Sequence, residues 1–160
     1  MPQIISPTSV EKVISGPLCD KAFLWFLATG GCIDRDPYNN LLEIVQKSHI
    51  SLIYDDNLPP VFFHVGEHST AADIFGKIWA AKSAGTMGLP DQPAEKHCNP
   101  AYYTAHNKKK LQSHYCHVRF NSHQSIFDLS YLRLLLPCLT KENVPLVLCV
   151  TDLLHIHKYN

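Results

Sequence analysis

The spacing of apolar residues along this chain changes period part-way through. In residues 18–29, Leu18, Ala22, Phe23, Trp25, Phe26 and Leu27 cover much of a helical circumference, and Gly30-Gly31 closes the segment. A helix that apolar must pack on its own domain or on a second copy. Ahead of it, Thr8-Ser9-Val10-Glu11 fits a capping box and predicts a short helix stopped by Gly16-Pro17. Asp36-Pro37-Tyr38-Asn39 marks a turn and a helix start, and Leu41, Leu42, Ile44 and Val45 predict a short amphipathic helix. From Ser48 the pattern turns to β. Residues 49–54 and 61–65 are β-rich runs separated by Asp55-Asp56-Asn57-Leu58-Pro59-Pro60, which predicts an antiparallel hairpin.

Beyond Gly66, Ser69 is placed to cap a helix carrying Ala71, Ala72, Ile74, Phe75, Ile78 and Trp79 on one face. Residues 83–100 contain two glycines and three prolines and predict a loop, with a helical turn or two at 101–106. Three strands follow, at about 111–120, 125–136 and 144–151, with turns at Asn121-Ser122 and Thr140-Lys141-Glu142-Asn143. Two early strands, three late ones and helices between them suit an α+β fold with one five-stranded antiparallel sheet, helices covering one face. The chain divides into an N-terminal extension with a short helix (1–17), a single domain (18–153) and a C-terminal tail (154–160).

Composition narrows the function classes. The 160 residues are 46% hydrophobic and 18% charged, enough for a core and too apolar for a disordered chain. Fourteen basic residues balance fourteen acidic ones, and Lys108-Lys109-Lys110 is the only basic run. That is not the concentrated basic face a nucleic-acid binder needs. Neither a leader pattern nor an apolar stretch near ~20 residues is present, so the expectation is a cytoplasmic protein with no membrane partner. The six cysteines form no Cys-x-x-Cys pair and are expected to be free, buried and reduced.

Several stretches, taken in order, resemble a bacterial PAS-domain family. Leu24-Trp25-Phe26-Leu27 followed by Gly30-Gly31-Cys32-Ile33-Asp34-Arg35-Asp36-Pro37 is similar to the family's Trp-bearing helix, its glycine turn and its Arg- and Pro-marked segment. Val61-Phe62-Phe63-His64-Val65-Gly66 leading into Asp73-Ile74-Phe75-Gly76 resembles the strand and helix that follow. Tyr131-Leu132-Arg133-Leu134-Leu135-Leu136-Pro137 resembles a late strand motif. Ile33 stands where the family has proline, and Pro37 comes early. The likeness spans roughly 18–151. It implies a stand-alone, non-catalytic sensory module of PAS type, with short helices on one face of a five-stranded sheet and additional N-terminal helices. Such a module binds a small molecule or a protein and signals through a partner or a dimer rearrangement.

Candidate chemistry is sparse. Of ten histidines, His114-Tyr115-Cys116-His117 is the best metal candidate, because His114 and Cys116 share a strand face and need a third ligand from His97 or Cys98. The ordinary reading, half-buried histidines without metal, is preferred. Pro137, lacking a donor, is expected to end its strand. For a ligand pocket, the alternation selects Phe63, Val65, Cys116, Val118, Leu132, Leu134, Leu148 and Val150 as one covered face. Phe75 and Trp79, four apart on a helix, would close over it, with His114 or Tyr103 as polar anchor for an apolar small molecule. The same residues also describe a filled core. No catalytic residue and no cofactor is assigned. The 18–29 helix is expected to form a homodimer. Two readings outside the sensory class stay open: an interaction scaffold, and a small cone-shaped α+β enzyme or carrier that pairs His64 or His114 with Asp73 or Asp128.

Overall fold

A computed structural model of the chain describes residues 4–7, 16–55 and 58–159. The capping box at 8–11 and the short helix expected after it lie outside the described residues. Six strands form one antiparallel sheet: β1 (Ile4–Pro7), β2 (His49–Asp55), β3 (Leu58–Val65), β4 (Gln112–Asn121), β5 (Ile126–Leu139) and β6 (Pro145–Tyr159). Their spatial order is β1-β4-β5-β6-β2-β3, so the β2–β3 hairpin docks beside the last strand of the chain. The five predicted strands are all present. The sixth, Ile4–Pro7, adds an edge on β4 through pairs running from Ile4↔His117 to Pro7↔His114.

Helices cover both faces. Helices α3 (Thr70–Phe75), α4 (Lys77–Lys82) and α5 (Gln92–Lys108) take one, while α1 (Pro17–Thr29) and α2 (Arg35–Ile44) take the other. The expectation of a single covered face is thereby corrected. The reason lies in β5 and β6, where Leu132, Leu134, Leu135 and Leu136, with Leu146 to Val150, are buried at successive positions. Successive strand residues point to opposite faces, so such runs need a layer on each side.

On the first face, Cys19, Ala22 and Trp25 of α1 pack on Leu132, Leu134, Leu136, Leu148 and Val150. A distant carboxylate fixes the entry of this helix. Asp152 of β6 accepts the backbone N–H groups of Leu18 (3.0 Å) and Cys19 (2.8 Å), two of the donors a helix start leaves unpaired. Gly16 makes that approach possible, because a Cβ there would overlap the Asp152 side chain. The Trp25 indole N–H donates to the Pro37 carbonyl at 2.8 Å and ties α1 to α2.

Three further departures have local causes. The helix expected across Ala71–Trp79 is broken by Gly76 at φ +99°, a conformation that favours glycine. The stretch read as a loop, 83–100, holds the first half of the longest helix among the described residues, α5, whose second half includes the helical turns expected at 101–106. Asp91 caps it by accepting from Ala94 (3.3 Å), Pro93 falls in the first turn where it is tolerated, and Ala94, Cys98, Tyr102 and Ala105 form a buried stripe that outweighs the internal Pro100. Pro137 does not end β5, which pairs on to Leu139↔Pro145. The Leu139 N–H, two residues on, points away from β6 to the Gly31 carbonyl (3.0 Å). Pro137 therefore faces the side from which β4 has already departed, and its missing donor breaks no β5–β6 bond. Finally, β6 continues through the segment expected as a tail, with pairs as far as Ile126↔Tyr159.

Candidate functional site

A recess of about 80 Å³ lies between the sheet and helices α3 and α5. Ile50 and Leu52 of β2, Phe62 of β3, and Cys149 and Thr151 of β6 form its floor, together with Tyr131 and Arg133 of β5 and Phe120 of β4. Ala71 and Ile74 of α3, and Glu95, Cys98, Asn99 and Tyr102 of α5, close it from above. Thr70 and Thr151 join hydroxyl to hydroxyl at 2.9 Å and pin α3 to β6 beside it.

Arg133 is the unusual group in this wall, being 2% exposed. One terminal nitrogen donates to the Cys98 carbonyl at 3.2 Å and the other meets His114 Nδ1 at 3.4 Å. Among the described residues its Nε–H has no partner. The Tyr102 ring lies 5.7 Å from the guanidinium carbon, a favourable but weak contact for a cation. Among the described residues no carboxylate stands within ion-pair distance of Arg133. Burial pushes the Cys98 and Cys116 thiols up to about 11 and raises the Cys149 thiol and the Tyr102 and Tyr131 phenols as well. These neighbours are thus neutral near pH 7 and supply no countercharge. The arginine keeps its charge regardless. His114 is held low, to about 4, by burial and by the adjacent guanidinium.

His114, Cys98 and Cys116 each lie near the Arg133 guanidinium, a fixed cation that would repel a second. Among the described residues no cluster of three or more ligating side chains is arranged for a metal ion. All six cysteines are free, and five are buried.

The residues picked from the sequence are divided between three places. Cys116 and Val118 lie on the recess side of the sheet, packed under α5, and Val65 packs beside the recess with Leu52 and Phe62. Leu132, Leu134, Leu148 and Val150 lie on the opposite face under α1, which corrects the expected wall. The recess is lined instead by their odd-numbered neighbours Tyr131, Arg133, Cys149 and Thr151. A register shift between Ser51↔His64 and Leu52↔Phe62 makes Phe63 the extra residue of a bulge and leaves it 42% exposed. Phe62 takes the inward place. Phe75 and Trp79 do meet, with ring centroids 5.3 Å apart, yet they line a separate surface groove with Phe127 and Gln124. Tyr103 points outward, and its neighbour Tyr102 is the buried ring. His114 is beside the recess and meets its wall at Arg133. Arg133 itself was a missed signal: a charge inside Leu132-Arg133-Leu134-Leu135-Leu136 is either an edge residue or a deliberate buried group.

The expected His–Asp pairs do not form. His64 meets the Tyr38 hydroxyl at 3.1 Å, and Asp128 is held by Arg119 (2.8 and 2.9 Å) and by the Tyr159 hydroxyl (2.9 Å). Tyr38 also meets His49 Nε2 at 3.0 Å, so its hydroxyl donates to one ring and accepts from the other. His49 is fully buried and held down to about 3, mainly by burial. Among the described residues no helix is long and apolar enough to cross a membrane. Comparison with family models, with curated proteins and with solved structures finds no match to this chain.

Proposed function

We propose that this chain is a non-catalytic small-molecule-sensing module of PAS type. The observation that carries the reading is the recess between the sheet and the short helices, walled by apolar side chains with a few polar groups. That is the usual make-up of a ligand site. The strand order supports the PAS resemblance: the early hairpin docks beside the last strand, and β4 and β5 complete the sheet. The recess is small, so a ligand of more than about half a dozen non-hydrogen atoms must displace α3 or α5; α3 has only 6 residues and α5 carries Pro100 within it. Through β5 and β6 the same strands touch α1 on their far side. A ligand favouring one packing of sheet and helices would shift α1.

Output through a second copy is part of this reading. Phe23 and Phe26 pack on the chain's own core, whereas Leu24 and Leu27 are more than half exposed. These two leucines are where a dimer partner would bury surface. Native mass spectrometry of freshly purified protein tests the whole proposal. A retained small molecule that leaves on mild activation is the expected result. Protein that carries none, and gains no thermal stability from any small apolar or polar probe, would refute it.

A further inference from the structure

We infer that the ligand of this recess is a small carboxylate, anchored by the Arg133 guanidinium. The inference rests on the sensory-module reading and specifies its ligand. A buried cation with no opposite charge is costly, and buried arginines are almost always paired. Among the described residues two of the five N–H donors are used, on neutral acceptors, and the Nε–H is unpartnered. Arg133 lines the recess, so the missing acceptor belongs in it.

The shape of the guanidinium and the character of the walls choose the ligand. A planar fork of donors matches a carboxylate with two parallel hydrogen bonds. A phosphate dianion would need further cations or donors, whereas the opposite walls offer Ile50, Leu52, Phe62 and Ile74. A short apolar tail fits there. A void of about 80 Å³ admits on the order of half a dozen non-hydrogen atoms, the size of butyrate or valerate. Glu95, the carboxylate on the same recess, is engaged by the Leu89 N–H at 3.0 Å.

The test is a titration of the full chain with acetate, propionate, butyrate and valerate, each set against its primary amide, read by calorimetry. The Arg133 Nε–H resonance is followed in parallel and assigned by its loss in Arg133→Lys. Saturable binding is expected, with the best carboxylate at least about tenfold tighter than its amide and a shift of the Nε–H resonance. Arg133→Met should abolish that preference. Removing Arg133 strands no opposite charge, so this variant is expected to fold. If it does not, Arg133→Lys, which keeps the charge and loses the fork, should weaken the carboxylate and leave the amide unchanged. Equal binding of acid and amide, binding of the amides alone, or an unmoved Nε–H resonance would overturn the anion inference and leave the recess as a neutral pocket. If neither series binds and no small neutral probe does, the sensory reading falls with it.

Discussion

Acid should weaken this protein well before its carboxylates are protonated, because two histidines are buried neutral. His49 is fully buried and His114 nearly so, and their folded pKa values lie at about 3 and about 4. In the unfolded chain both return to the ordinary 6.5. Above that value each ring is neutral in both states and contributes no pH dependence. As the pH falls through 6.5 the unfolded chain takes up protons that the folded chain refuses, so stability is lost steadily down to the folded pKa. Between pH 7 and pH 5 the loss is about 2 kcal/mol for each ring, or roughly 4 kcal/mol for the two. That is a large part of the stability of a domain this size. Protonated His114 would also place a second charge beside Arg133, whose terminal nitrogen is 3.4 Å away. Glu95 acts in the opposite sense, since burial raises its pKa and acid favours its folded form. Urea titrations at pH 7 and pH 5, followed by tryptophan fluorescence, measure the difference. Trp25 and Trp79 report from opposite faces of the sheet. His49→Gln and His114→Gln, neutral at both pH values, should each remove about half of the pH dependence. Equal midpoints at pH 7 and pH 5 in the wild type, or the full loss in the double variant, would refute the assignment.

Leu134→Ala should destabilise the fold by about 2–5 kcal/mol in chemical denaturation without altering retention of any ligand, because Leu134 packs under α1 and not in the recess. A loss of ligand at unchanged stability would contradict that placement. Gly16→Ala should displace Asp152 from the start of α1 and cost roughly 1–2 kcal/mol, the scale of a lost helix cap. Thermal melts would show it, and Asp152→Ala should make the glycine substitution much milder. Replacing Leu24 and Leu27 together by Glu should convert a dimer to a monomer in sedimentation velocity, while Phe23→Glu should unfold the chain. A wild type already monomeric at micromolar concentration would rule out the dimer.

The sequence by itself determined much of the local structure. The apolar circumference of residues 18–29, the Ser69 cap and the three late β runs each specify an element from a few neighbours, since period and capping chemistry are local properties. What the sequence left open was which face of β5 and β6 meets which helices. Both faces of those strands are apolar, so alternation carries no preference, and only the docking of α1 against Leu132 and Leu134 settled it. Tertiary contacts likewise decided the elements that defy local propensity. Helix α5 runs through Pro100 because Ala94, Cys98, Tyr102 and Ala105 bury against the sheet, and β5 passes Pro137 because the lost donor faces a vacated side. The same holds for Arg133. A charge among leucines is visible in one dimension, but whether it is paired depends on residues from α5 and β4. Among the described residues the fold brings it only neutral partners, at the wall of the recess.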